Sequence, residues 1–450
     1  MRKFKENFIL KYGENYMLIN MISFRRKMIS ADDYLLLKSI NSKNFIHLNN
    51  VEEAIIKKLF EEKQLLSEEL IAWYDTQREL NYNKPSYHIG SITLNLTYDC
   101  NFSCKYCYQK NFNLNGKYMS FDDINKIYDY VQTYNKIHNN SDNLEEVIIS
   151  GGESLLDHNI DKIVYICNKF ESSKFKLFTN GTNIIKFSDK IDFTKFSEIQ
   201  VSLDGVDEVI RTLNKNKSSS FDNIVSGILF LVEKGIKVSI ISMVTKESLP
   251  YLNKFLDFLE DKKIIDNELI SLRFSFVVNY DEKYTLDPNF YSPEEYLAIR
   301  QKVNNAIHVK GSKNISVDIL YDLSFFYKIA FRNQNERIDG RIAMCNTRKG
   351  FPLLFSPDHG IYWCTCTNVK SKLASFDNPP EELDKSQLLN ELLHRNIYKI
   401  EQCKKCFYRF VCSSGCPLYA IHCNESANTC HCGIFGHPLF EERAELFLGT

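Results

Sequence analysis

The feature that most restricts what this chain can become is an alternation of periods between residues 91 and 278. Ser91–Tyr98 places Ile92, Leu94 and Leu96 two apart, and Val147–Ser150, Lys174–Thr179, Ile199–Leu203, Lys237–Val244 and Ser271–Val278 are further short apolar or alternating runs. Each reads as a strand. Between them the spacing becomes helical: Ser120 and Asp123 cap a segment bearing Ile124, Ile127, Tyr128 and Val131, and helical stretches fall near 157–171, 221–234 and 249–262. Strands joined by crossover helices demand a parallel sheet, so the fold class is α/β.

A second constraint comes from cysteine. The chain has 450 residues and 14 cysteines. It is too long for a disulfide-stapled miniature, and its N-terminus, MRKFKENFILKYGENYMLIN, lacks the uninterrupted apolar stretch of a signal peptide. Metal is the better explanation, and the distribution agrees, with Cys100, Cys104 and Cys107 together, Cys167 alone, and the rest between 345 and 432. Cys167 stands at helical spacing with Ile160, Ile163 and Val164 and reads as a small core residue. The triplet directly follows the first strand, in Asp99-Cys100-Asn101-Phe102-Ser103-Cys104-Lys105-Tyr106-Cys107-Tyr108. Thiolates select soft metals, and a cubane iron–sulfur cluster takes four cysteines, so a set of three leaves one iron open. A zinc site would want a further Cys or His at short spacing, and His88, the nearby histidine, precedes the strand on the wrong side.

CxxxCxxC with an aromatic, Tyr106, before the last cysteine resembles the signature of radical S-adenosylmethionine (SAM) enzymes. The resemblance implies that Cys100, Cys104 and Cys107 hold a catalytic [4Fe-4S] cluster whose open iron binds the amino and carboxylate groups of SAM. It implies reductive cleavage to a 5′-deoxyadenosyl radical. It also implies a partial (β/α)6 barrel over about residues 90–280, with chemistry at the C-terminal strand ends. Motifs there match the family in order. Ser150-Gly151-Gly152-Glu153 follows the second strand, its glycines allowing close backbone approach and Glu153 reaching the SAM ammonium; Ser154 stands where the family usually has proline. Thr179-Asn180-Gly181-Thr182 follows the third strand. Ser202 and Asp204, in Val201–Gly205 after the fourth, correspond to the ribose- and carboxylate-binding segment, with Arg211 as a carboxylate partner. Met243 on the fifth would flank the adenine.

Cys403-x2-Cys406-x5-Cys412-x3-Cys416, followed by Cys430 and Cys432, resembles the SPASM domain, which holds two auxiliary [4Fe-4S] clusters. That implies three clusters in all. Carried over, Cys403, Cys406, Cys412 and either Cys430 or Cys432 bind the outer cluster. Cys416 joins Cys345 and Cys364 at the inner one, with Cys366 an alternative ligand or a fourth; Cys423 fits no pattern. The SPASM block is expected over 341–450 and a bridging insertion without motifs over 281–340.

Residues 1–85 carry no cysteine. Tyr16–Asn20 and Phe24–Met28 are strand candidates, and Ser30 with Asp33, Asn50 with Glu53, and Ser67 each open a helix. Two strands and three helices suit a winged-helix-like, peptide-recognition module, as precedes the barrel in many enzymes that modify ribosomally made peptides. Basic and acidic residues number 56 and 57 and are interspersed, so no field favours nucleic acid. Nowhere do about 18 apolar residues run together, so no membrane partner is expected and a cytoplasmic protein is. The expected function is a peptide maturase forming a cysteine thioether crosslink. Its partners are a ribosomally synthesised precursor peptide and an electron donor such as flavodoxin or ferredoxin. A sulfatase-maturing, formylglycine-generating enzyme is the alternative, though Cys364 is followed by Thr365 rather than that branch's acid. A non-enzymatic iron–sulfur redox protein would explain the cysteines but not the SAM loops.

Overall fold

The computed structural model describes most of residues 7–107, 116–207, 221–276, 351–363 and 371–404, with short stretches at 302–307, 315–317, 413–415 and 426–429 and single residues that include Cys406 and Arg409. Arg211, Cys345, Cys364, Cys366, Cys412, Cys416, Cys430 and Cys432 lie outside the described residues, as does most of 281–340. Two compact units divide the chain. One gathers the described residues before 86 with those from Glu391 onward, and the other takes those of Ser86–Asp318 and Lys349–Asn390.

In the first unit, β1 (Asn7–Tyr12), β2 (Asn15–Asn20) and β3 (Arg26–Ile29) form an antiparallel sheet, followed by α1 (Ala31–Ser42), α2 (Asn50–Glu61) and α3 (Glu68–Tyr82). Strand β1 pairs with β2 from Asn7↔Asn20 to Tyr12↔Asn15. It is a strand that the sequence pattern does not announce, because Phe8-Ile9-Leu10 is a continuous apolar run without alternation. Leu18, Ile29, Leu37, Ile56, Leu59 and Leu65 make the core, and Tyr16 stacks on Tyr34 with centroids 4.0 Å apart. The capping box of α2 is set one residue earlier than expected: Asn49, not Asn50, is the N-cap, and Glu52 answers it. Two overlapping Asn-x-x-Glu patterns make that ambiguous in sequence.

This unit includes part of the C-terminal cysteine block. Asp75 on α3 accepts a hydrogen bond from the Tyr398 hydroxyl at 3.0 Å and pairs with the Arg409 guanidinium at 3.4 Å. Arg409 Nη1 also donates to the carbonyl of Cys406 at 3.1 Å. Helix α3 is thus tied to the chain beside a cysteine.

In the second unit, β4 (Ile89–Asn95), β5 (Glu146–Ser150), β6 (Lys174–Thr179), β7 (Phe196–Ser202), β8 (Val238–Val244) and β9 (Ile270–Phe276) lie side by side in chain order, all parallel. They are the six expected strands. Their crossovers carry α4 (Phe121–Ile137), α5 (Ile160–Lys169), α6 (Phe221–Glu233) and α7 (Leu252–Asp261). Helix α4 begins with the expected capping box between Ser120 and Asp123. On α5, Ile160, Ile163, Ile166 and Cys167 face the core, and burial pushes the Cys167 thiol up to about 11. Parallel pairing puts all the C-terminal strand ends on one edge of the sheet, as a partial barrel requires.

The sheet is wider than six strands. β10 (Ile315–Val317) joins β9, and β11 (Phe351–Phe355) pairs in parallel with β4, extended by antiparallel β12 (Gly360–Tyr362) and β13 (Lys372–Ser375). Residues 349–390 group with the barrel strands. Packing explains this. Phe351 stacks on Trp363 at 5.9 Å and meets Tyr134 of α4 edge-on at 6.1 Å, burying an apolar run that would otherwise face water. Helices α8 (Gln387–His394) and α9 (Glu401–Lys404) follow. Among the described residues no helix is long and apolar enough to cross a membrane.

Replacing Asp75 with alanine should lower the stability of the first unit by about 1–3 kcal/mol, the worth of a partly buried charged hydrogen bond. Denaturant unfolding followed by tryptophan fluorescence, with Trp73 two residues away, measures this. An unchanged midpoint would show that α3 is not held through Asp75.

Candidate active site

Beyond β4 the chain turns sharply, and the turn is fixed from the neighbouring loop. Gly152 N donates to Thr97 O at 2.7 Å and Glu153 N to Asp99 O at 2.9 Å, so the Gly-Gly-Glu loop is laced to the residues that lead into Cys100. The glycines are required by that approach. A β-carbon on Gly152 would lie 2.2 Å from Asp99 O and 2.5 Å from Tyr98 O, and one on Gly151, whose φ is +142°, would lie 2.4 Å from Thr97 O. Asp99 is itself held by the Tyr118 hydroxyl and by Gly116 N.

Glu153 is 1% exposed. Its carboxylate accepts hydrogen bonds from the Thr179 hydroxyl at 2.6 Å, Asn180 N at 2.7 Å and Leu155 N at 2.7 Å. Burial raises its pKa, and these donors pull against the rise. The carboxylate thus ties the end of β5 to the end of β6. Its engagement within the protein is a role that the sequence pattern does not disclose.

The Thr179–Thr182 loop then reaches back to the cysteines. Asn180 Nδ2 donates to Asn101 Oδ1 at 2.7 Å and lies 4.0 Å from Cys100 Sγ. Asn101 Nδ2 donates to the Thr182 hydroxyl at 2.9 Å, which donates in turn to Asn180 Oδ1 at 2.7 Å. Sequence reasoning passed over Asn101 and Thr182. The only available signal was a polar residue at a spacer position of the cysteine motif and another directly after Asn-Gly.

Asp204 is buried at the C-terminal end of β7. It accepts from the Tyr106 hydroxyl and, at 2.9 Å, from Met243 N on β8. Burial pushes it up to about 6. The expected Tyr106, Asp204 and Met243 are thus brought together, but through Met243's backbone. Ser202 ends β7 half-buried.

Cys100, Cys104 and Cys107 occupy one short loop, and none is in a disulfide. Burial pushes the Cys100 and Cys104 thiols up to about 12, with neighbouring thiols and carboxylates adding to the rise. Deprotonating them therefore needs a cation at hand, which is what a soft-metal cluster provides. Among the described residues no three His, Cys, Asp or Glu side chains are already drawn together as a metal cage. The donor set still fits an iron–sulfur cluster in kind and spacing: three thiols on a pinned loop that can close on it. In the other unit, Cys403 is buried on α9 and Cys406 is half-buried, with Cys406 N donating to Cys403 O at 3.0 Å.

Residues 94–259 match the model of the radical SAM superfamily. The chain is 33% identical over 276 residues to an uncharacterized protein of Methanocaldococcus jannaschii, a match covering 58% of this chain and 87% of that one. It is 28% identical over 166 residues to the GTP 3′,8-cyclase of Staphylococcus saprophyticus, covering 35% of this chain but only 46% of the cyclase. The chain belongs to the radical SAM superfamily. Among solved structures, native anSMEcpe with bound AdoMet aligns with a TM-score of 0.56 at 18% identity, over 80% of this chain and 96% of that one. Streptococcus suis SuiB bound to precursor peptide SuiA aligns with a TM-score of 0.54 at 15% identity, over 96% of this chain and 98% of SuiB. The fold is that of a radical SAM partial barrel.

Two substitutions test the laced loops. Gly152→Ala should weaken SAM binding at least tenfold, because its methyl meets backbone that cannot swing away; equilibrium binding to the reconstituted protein reads this. Glu153→Gln turns one acceptor into a donor facing N–H or O–H groups and should cost on the order of 1–3 kcal/mol of SAM affinity. Wild-type affinity in either variant would show that the loop does not shape the SAM site.

Proposed function

We propose that this protein is a radical SAM maturase of a ribosomally made peptide, forming a thioether between a substrate cysteine and an acceptor carbon. The observation that supports the peptide substrate is the extent of the likeness to SuiB, a structure with a precursor peptide bound, 96% of this chain against 80% for anSMEcpe. On this reading residues 1–85 are a winged-helix-like module that binds the precursor peptide. Residues 90–280 are the barrel, 281–340 a bridging insertion, and the C-terminal cysteines a SPASM block, in a cytoplasmic enzyme fed by a flavodoxin- or ferredoxin-like donor.

Cys100, Cys104 and Cys107 would hold the first cluster, which with SAM would supply a 5′-deoxyadenosyl radical, and two auxiliary clusters would supply a thiol-binding metal and an electron acceptor. The protein's part is positioning. Asn180 and Asn101 fix the cysteine loop, and Glu153, with Gly151, Gly152 and Thr179, sets the edge against which the SAM amino group lies. Ser202, Asp204 and Arg211 would be the residues that hold the ribose and carboxylate, and Met243 the adenine. Cys403, Cys406, Cys412 and one of Cys430 and Cys432 hold the outer cluster; Cys345, Cys364 or Cys366, and Cys416 hold the inner. Overall, an acceptor C–H and a substrate S–H would be replaced by C–S, the substrate peptide giving up one hydrogen atom to the SAM-derived radical, one proton from the thiol and one electron, for which an auxiliary cluster would be the acceptor.

Anaerobic protein with SAM, reductant and a cysteine-containing precursor peptide should yield 5′-deoxyadenosine and a peptide lighter by one hydrogen pair. Changing Cys100, Cys104 and Cys107 together to alanine should abolish both products while the C-terminal iron remains. SAM cleavage by the triple variant would displace the catalytic cluster from this loop. Conversion of a peptide cysteine to formylglycine, without crosslinking, would instead establish the sulfatase-maturing reading.

A further inference from the structure

Past the end of α8 a single side chain gathers two separate pieces of the C-terminal block. Arg395 is 2% exposed. Its Nη2 donates to Ser414 O at 2.7 Å and lies 3.5 Å from Gly415 O. Its Nη1 donates to Ala427 O and, at 2.8 Å, to Thr429 O. One turn earlier on α8, Glu391 Oε2 accepts from Ala427 N at 3.1 Å, so the second piece is held from both directions.

The first piece is strained. Ser413, Ser414 and Gly415 have φ of 54°, 65° and 73°, three successive residues in the left-handed region. L-residues visit that region singly, not in runs, and such conformations persist only where surroundings over-determine them. Ser413 and Ser414 are each 1% exposed. Water therefore cannot supply the partners of this turn's carbonyls, and the guanidinium does. In sequence the turn is all that separates Cys412 from Cys416, and Thr429 directly precedes Cys430.

We propose that Arg395 is a positioning residue for the auxiliary clusters, its planar guanidinium clamping the left-handed turn between Cys412 and Cys416 to the segment that leads into Cys430. The inference rests on reading those cysteines as cluster ligands. Their thiolates come from separate stretches of the block, and a cluster assembles only if those stretches are held in register. A guanidinium presents parallel donors in a fixed fork and can hold both pieces at once, whereas an ammonium is a point charge that follows one. Bonding through main-chain carbonyls makes the clamp indifferent to the side chains of the turn.

The test uses the full chain, reconstituted anaerobically, comparing wild type with Arg395→Lys and Gly415→Ala. The second variant leaves the arginine in place and puts a methyl on a left-handed backbone, so the inference stays testable if the first does not fold. Both variants should cleave SAM at the wild-type rate while losing at least one cluster, roughly four iron atoms per chain, with the matching loss in the Mössbauer spectrum. Iron should raise the unfolding midpoint of the wild type, and that increment should shrink in both variants, which a merely structural arginine would not cause. Wild-type iron content and spectra in the soluble variants would overturn the proposal. A wild type that binds only one cluster would remove the cluster reading itself, and the clamp with it.

Discussion

A carboxylate taken out of water must find donors, and the place where Glu153 finds them organises the C-terminal edge of the parallel sheet. Its partners are a side chain and a backbone amide at the end of β6 and a backbone amide of its own loop. Through its own amide it holds Asp99, one residue before the first cysteine. Three strand ends are joined by one residue that costs several kcal/mol to bury unless fully hydrogen-bonded. The loop cannot drift without breaking a bond to a buried charge. The cysteine loop, the Gly-Gly-Glu loop and the Asn-Gly loop consequently form one fixture, extended sideways by Asn101 and Thr182.

The six barrel strands were readable because each is a short apolar or alternating run between helices of clear 3.6 period. Lys174–Thr179 coincides with its expected limits. Residues 351–375 were not readable as sheet: Phe-Pro-Leu-Leu-Phe contains a proline and no alternation, and its pairing partner, β4, is more than 250 residues away. Strand β1 was hidden for the same reason of missing alternation. Local pattern reports burial, but not which distant element supplies it.

At the site, residue types and spacings identified the cysteines and the order of the loops, because that chemistry is carried by side chains that sequence displays. The bonding within the loops was not legible. Glu153 points into the protein at donors that are largely backbone amides, Asp204 meets Met243 through its amide rather than its side chain, and Asn101 occupies a position that the motif leaves free. The same holds for Arg395, whose acceptors are four main-chain carbonyls. Backbone groups carry no sequence signature.

The central claim is that Cys100, Cys104 and Cys107 hold a cluster with one iron left for SAM. The most direct measurement is electron paramagnetic resonance of the reduced protein in which Cys403, Cys406, Cys412 and Cys416 have been changed to alanine, so that the first cluster dominates the signal. Addition of SAM should change the g-values of that cluster, because the substrate becomes a ligand of its open iron. A spectrum unmoved by saturating SAM would contradict the account, for it would mean that the cluster is either closed or elsewhere.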